Sequence, residues 1–309
     1  MRPRDRELAQ RLDAELVAFD GATRPLPGVR NADRRKALIE QMLESIHRVK
    51  FVQTVRGRPI SERRADPNDE LFDPLKAAIL QQRRGNLEEA FWLIFLFVHF
   101  GRNLRGGWRY AREVYGRLGD GTLWDWESTS REPGAFRVWL SANQNELKRR
   151  GVPGGFGNHR KRESLDAYSA TGTGAVVESY VRWIGPLRSH QAIFSEVLGQ
   201  SDRDPRRAFD SLYFSMDAVR RFGRLARFDY LTMIGKLELA PIIPGSPYLE
   251  GSSGPLKGAQ LLFGTKEKAP ALDSYLVEFD EYLQVGMQVL EDALCNWQKS
   301  PERFVRFRG

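Results

Sequence analysis

One acidic residue sits where an acid is expensive. Between residues 220 and 236 the sequence reads RRFGRLARFDYLTMIGK. On a helical wheel, Arg220, Arg224 and Arg227 form one stripe. Asp229 falls on the opposite, largely apolar side with Phe222, Leu225, Met233 and Lys236. A carboxylate among apolar side chains is costly unless paired, and its pKa tends to rise. Such groups are enriched at active sites, where a perturbed carboxylate serves as acid, base or electrostatic stabiliser. A structural ion pair or a helix cap would use the same residues, and the segment alone does not separate the two.

Three further segments carry polar groups in suggestive patterns. In FWLIFLFVHFGRN, His99, Arg102 and Asn103 stand at i, i+3 and i+4 and share one helix face just beyond an apolar run. That face suits a pocket wall or a phosphate clamp, or a helix end whose polar side chains satisfy the last carbonyls. In GGFGNHRKRES, glycines let the backbone approach a ligand closely. Phe156, Asn158, His159, Arg160, Lys161 and Arg162 follow, a mixture fit for stacking on a base and gripping phosphate, or for a solvated charge run. In YLEGSSGPLKGAQLLFG, four glycines surround Ser252, Ser253 and Lys257, a phosphate-cradling composition.

Several chemistries are excluded. The G-x-x-x-x-G-K-[ST] and G-x-G-x-x-G spacings are missing, which removes the common nucleotide-driven readings. No serine stands in G-x-S-x-G, and no histidine pair has metal-ligand spacing. Cys295 is the only cysteine, so neither a disulfide framework, a cysteine-rich zinc site nor the zinc-deaminase cysteine pair is available. No metal or other cofactor is expected.

The elements that position these residues read as helices. Leu8, Leu12 and Leu16 mark a first. Asn31 or Asp33 caps a second, with Leu38, Met42, Ile46 and Val49 on one face. A third starts near Asp73–Pro74. Asn86 caps a fourth that is apolar nearly all round and therefore central. A fifth runs from about Trp108 to Leu118. TLWDWESTSREPG reads as a connector, 151–162 as a loop, and Thr173 as the start of another helix. Asp204–Pro205 opens the next, residues 215–239 form one helical stretch, PIIPGSPYLEGSSGPLKG reads as a loop, and 271–298 as one closing helix. Strand signals are weak throughout. The fold class is all-α, with an N-terminal helical extension over 1–70 and a catalytic domain over 71–309.

The net charge of +8 among 309 residues favours a polyanionic partner. The N-terminus is charged and lacks the apolar core of a signal peptide, and the apolar run from Ala90 to Phe100 is too short to span a bilayer. A cytoplasmic protein with no membrane or protein partner is expected.

Taken together, HFGRN (99–103), GFGNHRKRESL (155–165), FGRLARFDYLTMIGKL (222–237) and YLEGSSGPLKGAQLLFG (248–264) resemble the alpha-glutamyl/putrescinyl thymine pyrophosphorylase family, most closely its third clade. The resemblance implies a helical bundle related to helix–hairpin–helix DNA glycosylases, acting on hypermodified bases of phage DNA. It implies either excision of such a base, for example glucosylated 5-hydroxymethylcytosine, to leave an abasic site in anti-phage defence, or transfer of an amine or amino acid onto an activated hydroxymethyl pyrimidine. Asp229 would then stabilise an oxocarbenium-like sugar and position water, with Lys236 as an alternative amine nucleophile. Phe156, Asn158, His159, Arg162, Tyr230, His99 and Asn103 would read the flipped base, with Trp92 as a further stacking candidate. Arg102, Arg160, Lys161, Arg224, Arg227, Ser253 and Lys257 would hold the DNA backbone. A non-catalytic sensor of modified DNA is the reading from a different class.

Overall fold

Helix starts follow the capping residues of the sequence. In the computed structural model, which describes residues 3–306, the Asn31 side chain accepts from the backbone N–H groups of Asp33 and Arg34. Asp73, Asn86 and Asp204 likewise accept from the first turns of their helices. The described residues form fourteen α-helices: α1 (Arg6–Ala22), α2 (Ala32–Arg56), α3 (Pro74–Arg83), α4 (Leu87–Phe100), α5 (Arg109–Tyr115), α6 (Trp126–Arg131), α7 (Pro133–Arg150), α8 (Thr173–Ile184), α9 (His190–Gln200), α10 (Pro205–Ser215), α11 (Arg224–Lys236), α12 (Gly254–Phe263), α13 (Ala269–Leu283) and α14 (Met287–Trp297). Extended pairing among the described residues is limited to two isolated bridges, Asn103 with Gly107 and Ser164 with Gly172. The fold is all-α.

The chain divides into two compact units. One combines the residues up to Thr54 with those from Pro244 onward; the other is the continuous stretch Val55–Ile243. The first buries Leu12, Leu16, Phe19, Met42, Leu272, Phe279 and Trp297 in one core. Its two chain segments are tied by Arg48, which bonds Asp292, and by Arg11, which donates to the carbonyl of Leu283 at 3.0 Å.

The second unit is organised around α4. Phe91, Trp92, Leu93, Ile94 and Phe95 are all fully buried, and α3, α5, α6, α9 and α11 pack around this helix. A helix that is apolar on every face gains from burial on every face, at about 25 cal/mol per Å² of apolar surface removed from water. No helix among the described residues is long and apolar enough to cross a membrane.

The structure corrects several sequence boundaries. The connector 122–134 contains α6, capped by the Asp125 side chain. The stretch 215–239 is not one helix: a 3-10 turn at Met216–Ala218 follows α10, Arg221 has φ +60°, and α11 begins at Arg224 after Gly223. Arg220 and Phe222 therefore precede the helix, and the three-arginine stripe does not form. The second Gly/Pro loop ends at Gly254, so Lys257 stands on α12. The closing helix is broken into α13 and α14 by left-handed backbone at Gln284 (φ +49°) and Gly286 (φ +91°), since a positive φ interrupts the helical hydrogen-bond ladder.

Candidate active site

Two glycines join separate motifs. α4 ends at Gly101, whose φ of +61° turns the chain away. The Gly157 N–H donates to the Phe100 carbonyl at 2.7 Å. A Cβ built on Gly157 would lie 2.7 Å from the Gly101 carbonyl carbon, so the two backbones touch. Asn103 secures the same loop: its amide donates to the carbonyls of Gly154 (3.0 Å) and Phe156 (3.2 Å), and its Oδ1 accepts from Arg105 and Gly106. The Phe156 ring packs beside His99, Phe100 and Tyr110. The glycine-rich loop is thus a braced platform on the end of α4, and its next residues, the 3-10 turn Asn158–Arg160, carry the charges.

Arg160 is the inward-facing member of that basic run. Its Nε donates to the Val98 carbonyl at 3.2 Å, and its guanidinium lies 5.6 Å from the Phe222 ring centroid. Burial lowers its pKa, the nearby carboxylates of Asp229 and Glu163 raise it, and Arg221 lowers it. Glu163 is in turn held by a two-pronged pair with Arg221, at 3.1 and 3.2 Å, a geometry that fixes both groups.

Asp229 enters this cluster from the first turns of α11. The residue as a whole is half-buried, and protein surrounds its carboxyl. Loss of water pushes its pKa above the usual carboxylate value. The charges of Arg160, Lys236, His159 and Arg224 oppose that rise. One acid ringed by four cationic or cationisable groups, two from the 158–162 loop and two from α11, is the chemical content of the site.

The remaining sequence candidates fall into distinct places. Asn158, His159, Lys161, Arg162 and Arg102 are exposed. His99 is buried, and its Nε2–H donates to the Thr173 hydroxyl at 3.0 Å, since that hydroxyl itself donates to the Ser164 carbonyl at 2.8 Å. Burial and the nearby Arg160 charge hold its pKa down to about 3, so it stays neutral. Trp92 is a core residue whose indole donates to the Trp124 carbonyl. Arg227 turns toward Asp217 at 3.2 Å and stacks on Tyr213. Ser253 and Lys257 belong to the other unit, where both are exposed. Among the described residues no group of three His, Cys, Asp or Glu side chains stands together as a metal-binding set.

Tyr230 leads to an arrangement that the sequence reading missed. Its hydroxyl meets that of Tyr180 at 2.8 Å, Tyr180 meets His190 Nε2 at 2.7 Å, and His190 Nδ1 meets Glu88 at 2.6 Å. Ionised Glu88 can only accept, which assigns the proton to Nδ1 and makes each tyrosine the donor to its successor. Burial keeps His190 neutral. Burial would raise Glu88, but donors from His190 and Ser189 outweigh it and hold the carboxyl below its ordinary range. The separations of 10, 50 and 102 residues between successive partners left no local pattern to find. Glu163 was equally hidden, inside a run that reads as surface charge.

The family model of alpha-glutamyl/putrescinyl thymine pyrophosphorylase clade 3 matches residues 33–309. The chain belongs to this family. No curated protein and no solved structure gives a match. The span shared with the clade 3 pyrophosphorylase family takes in Asp229, Arg160, Glu163, Arg221 and both glycines of the loop contact, so the whole cluster lies in the matched region. The family's name links it to alpha-glutamyl and putrescinyl thymine, hypermodified pyrimidines.

Proposed function

We propose that this chain is a DNA glycosylase that excises a hypermodified pyrimidine from phage DNA and leaves an abasic site. The observation that carries the reading is Asp229, a desolvated carboxylate of a half-buried residue set among cations. In the reaction the C1′–N1 bond breaks and the base departs with the electron pair. The ionised Asp229 stabilises the positive charge on the sugar, then takes a proton from the water that adds to C1′. The Arg160 charge favours the ionised form of Asp229. The exposed Asn158, His159, Lys161 and Arg162 meet the flipped nucleotide and its flanking phosphates, consistent with the net charge of +8. Arg102 and Arg224 extend that basic surface. Lys236 is a second candidate for covalent chemistry at the sugar. In the unit built from both ends of the chain, Ser253 and Lys257 serve as further backbone contacts.

The ring of cations around Asp229 favours a second reading as well. A transferase displacing pyrophosphate from an activated hydroxymethyl pyrimidine needs several cations for its leaving group, and a base for the incoming amine.

The test incubates the protein with phage DNA carrying glucosylated hydroxymethylcytosine, or with DNA carrying modified thymines, followed by hot alkali. Strand breaks confined to modified DNA and lost in Asp229→Asn support excision. A changed nucleoside mass with an intact backbone would replace excision by transfer, and retained binding without any chemistry in either form would leave a sensor.

A further inference from the structure

An open recess in the Val55–Ile243 unit is lined by Arg117, Trp124, Ser128, Arg131, Glu132, Ala135, Val138 and Trp139 and has a volume of about 520 Å³. That is the size of site that holds a ligand of nucleotide dimensions. None of these residues belongs to the Asp229 cluster.

Its construction is specific. The Trp124 backbone is pinned from both sides, its N–H donating to the Tyr115 carbonyl and its carbonyl accepting from the Trp92 indole, both at 2.8 Å. The Trp124 ring meets Trp139 edge to face, with centroids 6.0 Å apart. The Arg117 guanidinium lies over Trp124 at 4.8 Å, while Asp120 pairs with it at 3.2 Å. To reach that position, Arg117 and Leu118 adopt φ of +48° and +61°, a region that side chains other than glycine enter at a cost.

One donor remains unused. The buried Trp124 indole N–H has no hydrogen-bond acceptor, an uncommon state for buried polar groups, whereas the Arg117 Nε is taken up by the Asp120 carboxylate. Trp124 and Arg117 both belong to the lining of this recess. Around them, Val138 is 61% exposed, Arg131 pairs with Glu127 on its own helix while remaining half in solvent, and the Glu132 side chain supplies an acceptor.

We infer that this recess binds one nucleotide of a DNA strand, separate from the nucleotide at Asp229. The base lies against Trp139 and the apolar rim at Val138, with its amino or imino groups toward Glu132. Base carbonyls and phosphate face Arg117, Arg131 and the indole donor. A planar, carbonyl-rich ring joined to an anion satisfies each feature of the lining. A fatty chain would leave the indole donor unpaired, and free phosphate would leave the tryptophans bare. The choice of a DNA strand rests on the DNA-acting reading; the nucleotide chemistry rests on the recess alone.

The test uses the full chain and a single-stranded oligonucleotide bearing one 5-iododeoxyuridine, irradiated and mapped by mass spectrometry after digestion. The expected cross-link falls on peptides containing Trp124 or Trp139. Trp139→Ala lowers affinity roughly 5- to 100-fold, the range that stacking on one base commands. Val138→Glu, which alters only an exposed rim residue, lowers it too and guards against a misfolded Trp139→Ala. Asp229→Asn keeps the cross-link whether or not excision is the reaction, so failure of that reading leaves this one standing. Cross-links confined to other segments, no cross-link at all, or an unchanged affinity in both rim variants would overturn the assignment.

Discussion

Gly101 and Gly157 touch backbone to backbone, and through that contact the end of α4 holds the loop that presents Arg160. Gly157 has an ordinary extended conformation, φ −64° and ψ 167°, so its requirement for glycine is steric. In Gly157→Ala the new methyl meets the Gly101 carbonyl carbon at 2.7 Å and the Arg102 nitrogen at 2.8 Å. We expect a loss of about 1–3 kcal/mol, the usual cost of forcing a group into packed structure, together with reduced catalysis. Gly134 on α7 has nothing within 4 Å of a built Cβ, so Gly134→Ala is the control with unchanged or slightly raised stability. Urea unfolding of both variants decides the matter; equal midpoints would remove the proposed bracing.

The proposed role of Asp229 links rate to pH. If it is the ionised base, its pKa raised by burial should give a rate that climbs with pH and levels off above the ordinary carboxylate range. Asp229→Asn should lower the rate about 10²- to 10⁴-fold and abolish that limb of the profile. The same raised pKa means that the unfolded chain releases the proton first, so stability falls as pH rises through this interval. The asparagine variant should therefore be at least as stable as the parent at neutral pH. A variant that is both inactive and markedly less stable would indicate a structural role.

Glu89 offers a second titration, away from the site. It is buried, accepting from the Tyr115 hydroxyl at 2.8 Å and the Trp126 N–H at 2.7 Å. Burial outweighs these bonds and pushes its pKa to about 7. Stability contributed by the protonated form is complete below the unfolded value near 4.5 and declines as pH rises to about 7, by at most ~3 kcal/mol. Glu89→Gln keeps one acceptor oxygen, for the Trp126 N–H, and turns its amide N–H toward the Tyr115 hydroxyl oxygen; lacking the charge, it should flatten thermal stability between about pH 5 and 7. A slope identical to that of the parent protein would refute the assignment.

The Tyr230–Tyr180–His190–Glu88 chain predicts asymmetric losses. Tyr180→Phe removes the middle link and leaves two buried partners unmatched, at a cost of about 1–3 kcal/mol. Glu88→Gln should cost most stability above the ordinary carboxylate range, where Glu88 of the parent is ionised. Its depressed carboxyl contributes stability that is present above the unfolded pKa and lost as pH falls through the lower folded value. Acid denaturation of the glutamine variant should begin at higher pH than in the parent; coincident acid transitions would show that Glu88 does not contribute in this way.

Local chemistry made much of the fold legible. Asn31, Asp73, Asn86 and Asp204 announced their helices because a cap is a contact over two or three residues. The central place of α4 followed from its unbroken apolar run. What failed was punctuation by positive φ at residues other than glycine. Arg221 and Gln284 interrupt stretches whose periodicity reads as continuous, and no side-chain pattern marks them. Asp229 stood out because a lone acid on an apolar face is visible in one segment. Glu163 and His190 did not, since burial depends on what another part of the chain lays over them. Asn103 shows the converse: its polarity suggested ligand contact, and its hydrogen bonds are used in holding the loop.

The division of one unit between the two ends of the chain governs the order in which the protein can be completed. The Val55–Ile243 stretch is contiguous, and domains generally fold as units during synthesis. α1 and most of α2 are made first, yet Leu12, Leu16, Phe19, Leu38 and Met42 reach their shared core only when α12, α13 and α14 arrive. At ordinary elongation rates that interval is roughly 10–40 s. A nascent chain therefore carries an uncovered apolar helix pair while the Val55–Ile243 stretch is already made, and α14, with Trp297 fully enclosed, joins a core that α1 and α2 began.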